Sequence, residues 1–204
     1  MVAEGEHERQ DFKYSISDAR KIARSISAFA NRSGGRLLIG VKDNGEIAGV
    51  RNEEDIYVVE LAASRYCRPA VEVTFNAYTV EAAVRVIVAE IPASEMPGIC
   101  VVEADGKLRA YYRVADENIA APALMAGAWR RRAAGCSASL GDLHSRLAAW
   151  CAGGAPADAR TAALALHVAE STAAEAIETL AALGIVGFEH TSAGFILRPT
   201  EENP

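Results

Sequence analysis

The chain has 204 residues, half of them hydrophobic, and a formal net charge of −6. That apolar content excludes global disorder, and the length allows one large domain or two small ones. No apolar run approaches the roughly 20 residues that cross a bilayer, and the charged opening MVAEGEHERQ lacks the apolar stretch of a secretory leader, so no membrane partner and a cytoplasmic location are expected.

In chain order, Asp11 to Tyr14 reads as a short strand with Phe12 on one face and Asp11 and Lys13 on the other. Ser17 is positioned as an N-cap, and a helix follows to about Asn31. Ile22, Ile26 and Phe29 give it one apolar stripe; Arg20, Arg24, Ser27 and Asn31 form the opposite, polar one. Gly34-Gly35 ends the helix. Leu37 to Val41 is a continuous apolar run, as in a strand buried on both faces. Asp43 to Glu46 contains an Asn-Gly turn, with Ile47 to Val50 expected to return as the partner strand. Glu53 to Cys67 reads as a helix stopped before Pro69. Strands follow at 71–75, 84–91, 98–103 and 107–114, the last two joined across Asp105-Gly106.

Residues 115–139, rich in Ala, Gly and Arg, read as a helical or irregular connector. Three helices then follow: one marked by Leu140, Leu143, Leu147 and Trp150, one from Asp158 to Val168, and one from Ser171 to Leu183. A hairpin across Ser192-Ala193-Gly194 closes the chain, which is the winged-helix pattern. The expected fold is therefore α+β: a mixed sheet with two packed helices over residues 5–120, a connector at 121–138, and a small winged-helix domain at 139–200.

Residues 137–204 hold 3 Lys and Arg against 8 Asp and Glu, a net of −5, so the rest of the chain is close to neutral. The third of the late helices shows Thr172, Glu175, Glu178 and Thr179 on its expected outer face, with no cation to meet phosphate. That favours a dimerisation or protein-contact role for this module over DNA reading. Cys67, Cys100, Cys136 and Cys151 lie far apart without a CxxC pair, so neither a zinc knuckle nor a disulfide framework is expected. His7, His144, His167 and His190 have no ligand spacing. The glycines of Gly35 to Lys42 lack a following Gly-Lys-Ser/Thr, so ATP is not expected as a cofactor.

Two stretches resemble the Schlafen AlbA-type family: GEHERQDFK at 5–13, and SAFANRSGGRLLIGVKDNGEIAGV at 27–50. Ala110 to Val114, with Tyr112 and Arg113, resembles the family's closing strand. The resemblance implies nucleic-acid binding, of DNA or RNA, by a homo-oligomer with a transcriptional or RNA-related regulatory role. Lys13, Arg20, Arg24, Arg32, Arg36 and Lys42 are the cations placed to meet phosphate. The alternative it implies is a metal-dependent RNA endonuclease, with Glu6, Asp11 and Asp43 as catalytic carboxylates holding Mg²⁺ or Mn²⁺. Asp11 stands where the family more often has Glu. Beside these readings stand simpler ones: Asp43 as a turn residue, and the cations as a solvated face. A protein-interaction scaffold is the third class.

Overall fold

The computed structural model describes residues 1–50, 54–81 and 84–200. The chain divides into two compact units, Met1–Ala121 and Pro122–Pro204.

The first unit begins with a short 3-10 turn, Val2–Glu4. Strand β1 (Gln10–Lys13), helix α1 (Ala19–Ala30) and strand β2 (Gly35–Ile39) then form a β–α–β unit. β1 and β2 pair in parallel, and α1 supplies the crossover that a parallel pair requires. Asp18, not Ser17, caps α1: its carboxylate accepts from the Arg20 and Lys21 amides. Helix α2 (Glu54–Leu61) continues into a π-helical turn, Ala62–Tyr66. The helix start expected at Glu53 lies outside the described residues. Strands β3 (Cys67–Arg68), β4 (Thr74–Glu81), β5 (Val84–Ile91), β6 (Cys100–Val102), β7 (Leu108–Val114) and β8 (Glu117–Ala120) complete the unit.

There are two sheets rather than the single mixed sheet expected. The first has the order β1-β2-β5-β4, and the second β3-β6-β7-β8. α1 packs against strands of both. Its apolar stripe, Ile22, Ile26 and Phe29, is buried with Leu37, Ile39, Ile87 and Ala89 of the first sheet. Full burial of Ile26 and Phe29 stabilises the unit by about 1.5–3 kcal/mol each. On the far side of the first sheet, Phe12, Leu38, Val41, Val86 and Val88 form a smaller cluster, so β2 is apolar on both faces, as its sequence predicted.

Two glycines of the 27–50 motif have steric reasons. A Cβ on Gly35 would lie 2.3 Å from Cδ1 of the fully buried Phe29 ring. Gly40 has φ +93°, and a Cβ there would lie 2.8 Å from the backbone of Gly49 and Val50. This turn at Gly40 also corrects the expected hairpin. The Ala48 and Gly49 amides both donate to the Gly40 carbonyl, and the Val50 amide donates to Arg85. Only an isolated bridge, Val41 to Ile47, remains of the partner strand.

In the second unit, helix α3 (Ala123–Ala133) occupies most of the stretch read as a connector. Its Leu124 joins the unit's core beside Leu147, Ile177 and Leu180. Helix α4 (Asp142–Cys151), strand β9 (Ala155–Pro156), helices α5 (Ala159–Leu166) and α6 (Glu170–Ala182), and strands β10 (Val186–Thr191) and β11 (Gly194–Pro199) follow. The strands form one sheet, ordered β10-β11-β9. α3 lies along α6 on the face expected to be open. Arg131 sits 3.0 Å from Glu178 and 3.4 Å from Glu175, and Thr179 is buried. Gly127 faces the Glu178 carboxylate so closely that a Cβ would overlap it at 2.0 Å.

The unit boundary revises the charge distribution. Arg130, Arg131 and Arg132 belong to the second unit. Residues 1–121 then hold 15 Lys and Arg against 19 Asp and Glu, a net of −4, and the remainder 6 against 8, a net of −2. The α+β unit is thus acidic rather than nearly neutral.

Candidate nucleic-acid interface

Strand alternation sends Phe12 into the small apolar cluster and Asp11 and Lys13 to the opposite side, into a cleft of about 680 Å³. The first turns of α1 form a second wall, with Asp18, Lys21 and Arg24. The β7–β8 turn forms a third, with Arg113, Asp116 and Asn118.

At the base of the cleft is Arg113, whose side chain is 1% exposed. It donates to Asn118 Oδ1 at 2.8 Å and to the His7 and Gln10 carbonyls at 3.3 Å each. It lies 3.7 Å from Asp11 Oδ1 and stacks 4.8 Å from the Phe29 ring centre. Burial pulls its pKa down, opposed by the charges of Asp11, Glu6 and Asp116. Asn118 in turn donates to Ser25 Oγ on α1 at 2.9 Å. The β7–β8 turn is thereby tied to the helix.

Glu6 and Asp11 are brought together. Glu6 accepts from the Phe12 amide at 2.8 Å, and Lys13 Nζ sits 2.8 Å from Asp11 Oδ2. Burial, then hydrogen bonding to Asp11, raises the Glu6 pKa. The folded chain therefore keeps a proton on Glu6 above the pH near 4.5 at which an unfolded chain releases it. Stability contributed by Glu6 is full below that pH and is lost as pH rises through the raised value. Glu6→Gln, which keeps the polar contacts and cannot ionise, is expected to flatten the stability–pH profile just above 4.5. Urea titrations across that range measure it, and an unchanged profile would refute the raised Glu6 pKa.

Asp43 is exposed in the turn bounded by the Lys42–Glu46 backbone bond, apart from this pair in its bonding. Among the described residues no group of three or more His, Cys, Asp or Glu side chains is arranged to hold a metal ion. The Lys13 ammonium and the Arg113 guanidinium lie beside Asp11. Glu6, Asp11 and Asp43 are therefore not gathered among the described residues into the set of converging oxygen ligands that Mg²⁺ or Mn²⁺ takes.

The cations expected to meet phosphate are each engaged within the unit. Arg24 makes a two-pronged bond to Glu103, at 3.0 and 2.6 Å. Glu103 also accepts from the Tyr111 hydroxyl at 2.5 Å. The Arg24 guanidinium, with Tyr111, holds the Glu103 carboxyl below its usual range. Arg32 pairs with Glu8 at 2.9 Å and donates to the Arg113 carbonyl. Arg36 pairs with Glu4 at 2.7 Å, and Lys42 with Glu46 at 2.6 Å. Arg20 stacks over Tyr66. Ser27 and Asn31, read as part of the outer stripe, are buried against β6 and β7. Lys21, which the sequence did not single out, is exposed, lines the cleft and has no side-chain partner among the described residues. Its position one turn into α1 beside Asp18 was the only available signal.

A mixed β–α–β sheet, a second antiparallel sheet and a polar cleft between β1, α1 and the β7–β8 turn define an α+β protein. The Schlafen, AlbA_2 family model matches residues 6–122, more than half of the chain. The chain belongs to this family. No match is found among curated proteins. Among solved structures, the DIP2311 protein from Corynebacterium diphtheriae is similar at 20% identity and a TM-score of 0.45, over 93% of this chain and 34% of that one. The chain thus spans about a third of the length of that protein. Among the described residues no helix is long and apolar enough to cross a membrane.

Proposed function

We propose that the Met1–Ala121 unit binds nucleic acid at the cleft beside α1, with Lys21 as the principal phosphate contact and Lys13 and Arg24 at the rim. The observation that carries this reading is Lys21: an unpaired cation inside a polar cleft of a unit whose other candidate cations are held by carboxylates or aromatic rings. Few free cations mean few phosphates neutralised. Binding should therefore favour a short single strand, with a shallow salt dependence of about −0.7 per phosphate contacted. A cytoplasmic regulatory role acting on DNA or RNA is part of this reading, supported by the family match. The second unit, which from α4 onward runs helix–strand–helix–helix–hairpin, is read as a winged-helix-like protein-contact module. Its α6 carries α3 and the Arg131–Glu178 pair where a reading helix would meet a groove.

Fluorescence anisotropy of the full chain with short single-stranded RNA, single-stranded DNA and duplex DNA tests the proposal. Lys21→Glu is expected to weaken single-strand binding at least about tenfold at low salt, since it both removes a phosphate contact and adds a repulsive charge. The Lys21→Glu chain should keep wild-type circular dichroism. Absence of binding up to about 100 µM, the weak end of non-specific affinity, overturns the proposal. Strand scission in Mn²⁺ that disappears in Asp11→Asn would instead point to the nuclease.

A further inference from the structure

Sheet edges in the first unit are treated unequally. β1, at one end of the first sheet, is capped: the Phe12 amide is taken by Glu6, the Gln10 amide by the His7 carbonyl, and the Gln10 carbonyl by Arg113. The second sheet ends in strands of only two and four residues, β3 and β8. Short strands and capped groups are the usual protections of an edge. β4 has neither. It ends the first sheet, spans eight residues, and among the described residues pairs only with β5.

The stretch Thr74–Thr79 reads TFNAYT, with no charge, no proline and no glycine. Its pairing with β5 is regular until the shift between Thr79 and Glu81. All of it is exposed except Phe75, which is half-buried, and Tyr78 is 46% exposed. A flat, uncharged six-residue edge with alternate N–H and C=O groups facing water is a template for another strand.

We propose that this edge pairs with itself: two copies of the chain join antiparallel through Phe75–Thr79 across a two-fold axis at Ala77. A second copy is the fitting occupant because the strand carries no charge with which to select an acidic or basic partner. Self-pairing also sets no like charges opposite one another, although each unit is net acidic. About that axis the small Ala77 meets its own copy, Asn76 faces Tyr78 of the second copy, and Phe75 faces Thr79. The two four-stranded sheets become one continuous sheet. The paired area falls in the class of transient interfaces, below about 1,200 Å², so association is reversible and concentration-dependent.

Sedimentation velocity of the full chain over a concentration series tests this. The weight-average mass is expected to rise from 21.6 kDa toward twice that value. The double variant Asn76→Lys with Thr79→Lys should hold it at the monomer value while leaving circular dichroism intact. Leu164→Lys, at another exposed apolar position, should associate as wild type does. Independently, Ala77→Cys should form a disulfide-linked dimer on oxidation with copper phenanthroline, because residues opposite one another across antiparallel strands bring their Cβ atoms within about 4.5–5.5 Å, a small strand shift from the roughly 3.5–4.5 Å of a disulfide. A wild-type mass that stays monomeric at every concentration, or a dimer that survives the double lysine variant, overturns the proposal.

Discussion

Asn31→Ala is expected to destabilise the first unit by about 3–5 kcal/mol. Its Oδ1 accepts from the Gly98 and Ile99 amides at 2.7 and 2.8 Å. Its Nδ2 donates to the Ile99 and Tyr111 carbonyls, each at 2.9 Å. One side chain thereby satisfies the backbone of β7 and of the residues leading into β6, and fixes α1 against them. Truncation leaves those groups buried without water, and each unmet group costs about 1–3 kcal/mol. Ser27 shares the Ile99 carbonyl at 2.7 Å and so softens the loss at one of them. Both tryptophans, Trp129 and Trp150, lie in the second unit. In a urea titration the circular dichroism transition should move and the tryptophan fluorescence transition should not. A joint shift, or a change below about 1 kcal/mol, would show that the Asn31 bonds carry little net stability.

Arg113→Met is expected to cost about 2–4 kcal/mol in the same assay. The methionine fills the space over Phe29 but abandons the Asn118 oxygen and the His7 and Gln10 carbonyls, and it leaves Asp11 to Lys13 alone. Arg113→Lys should rescue little, since one ammonium cannot reach these acceptors while stacking on an aromatic ring as a planar guanidinium does. Restoration of wild-type stability by lysine would mean that charge alone matters there. Loss of Arg113 should also raise the Glu6 pKa further, because a compensating cation is gone.

Much of the first unit was legible because its signals are local. The apolar stripe of α1, the two-faced run of β2 and the pair β6–β7 across Asp105-Gly106 follow from periodicity and turn chemistry. The polar stripe of α1 was misplaced for the same reason. Periodicity separates polar from apolar positions but cannot tell a polar side chain facing water from one facing the backbone of a second sheet. Ser27 and Asn31 are the latter. The fate of the cations was equally hidden. Lys42 and Glu46 are four residues apart, a spacing visible in sequence, whereas Arg24 finds Glu103 at a separation of 79 residues. Of the carboxylates, Glu6 and Asp11 converge because Glu6 lies just ahead of β1 and caps the Phe12 amide. Asp43 sits beyond the turn at Gly40, whose conformation no motif announced.

The bonds of Asn31 reach partners 67 to 80 residues further along the chain. During synthesis at about 5–20 residues per second, those partners emerge roughly 4–16 s after the helix that needs them. Until Tyr111 leaves the ribosome, α1 has no second sheet to lie against, and its Ile22–Ile26–Phe29 stripe has no finished core. Assembly of this unit therefore waits until its own last strands have been made. Ribosome-bound chains stopped just before Ile99 and just after Val114 should differ in protease resistance far more than chains of similar lengths elsewhere.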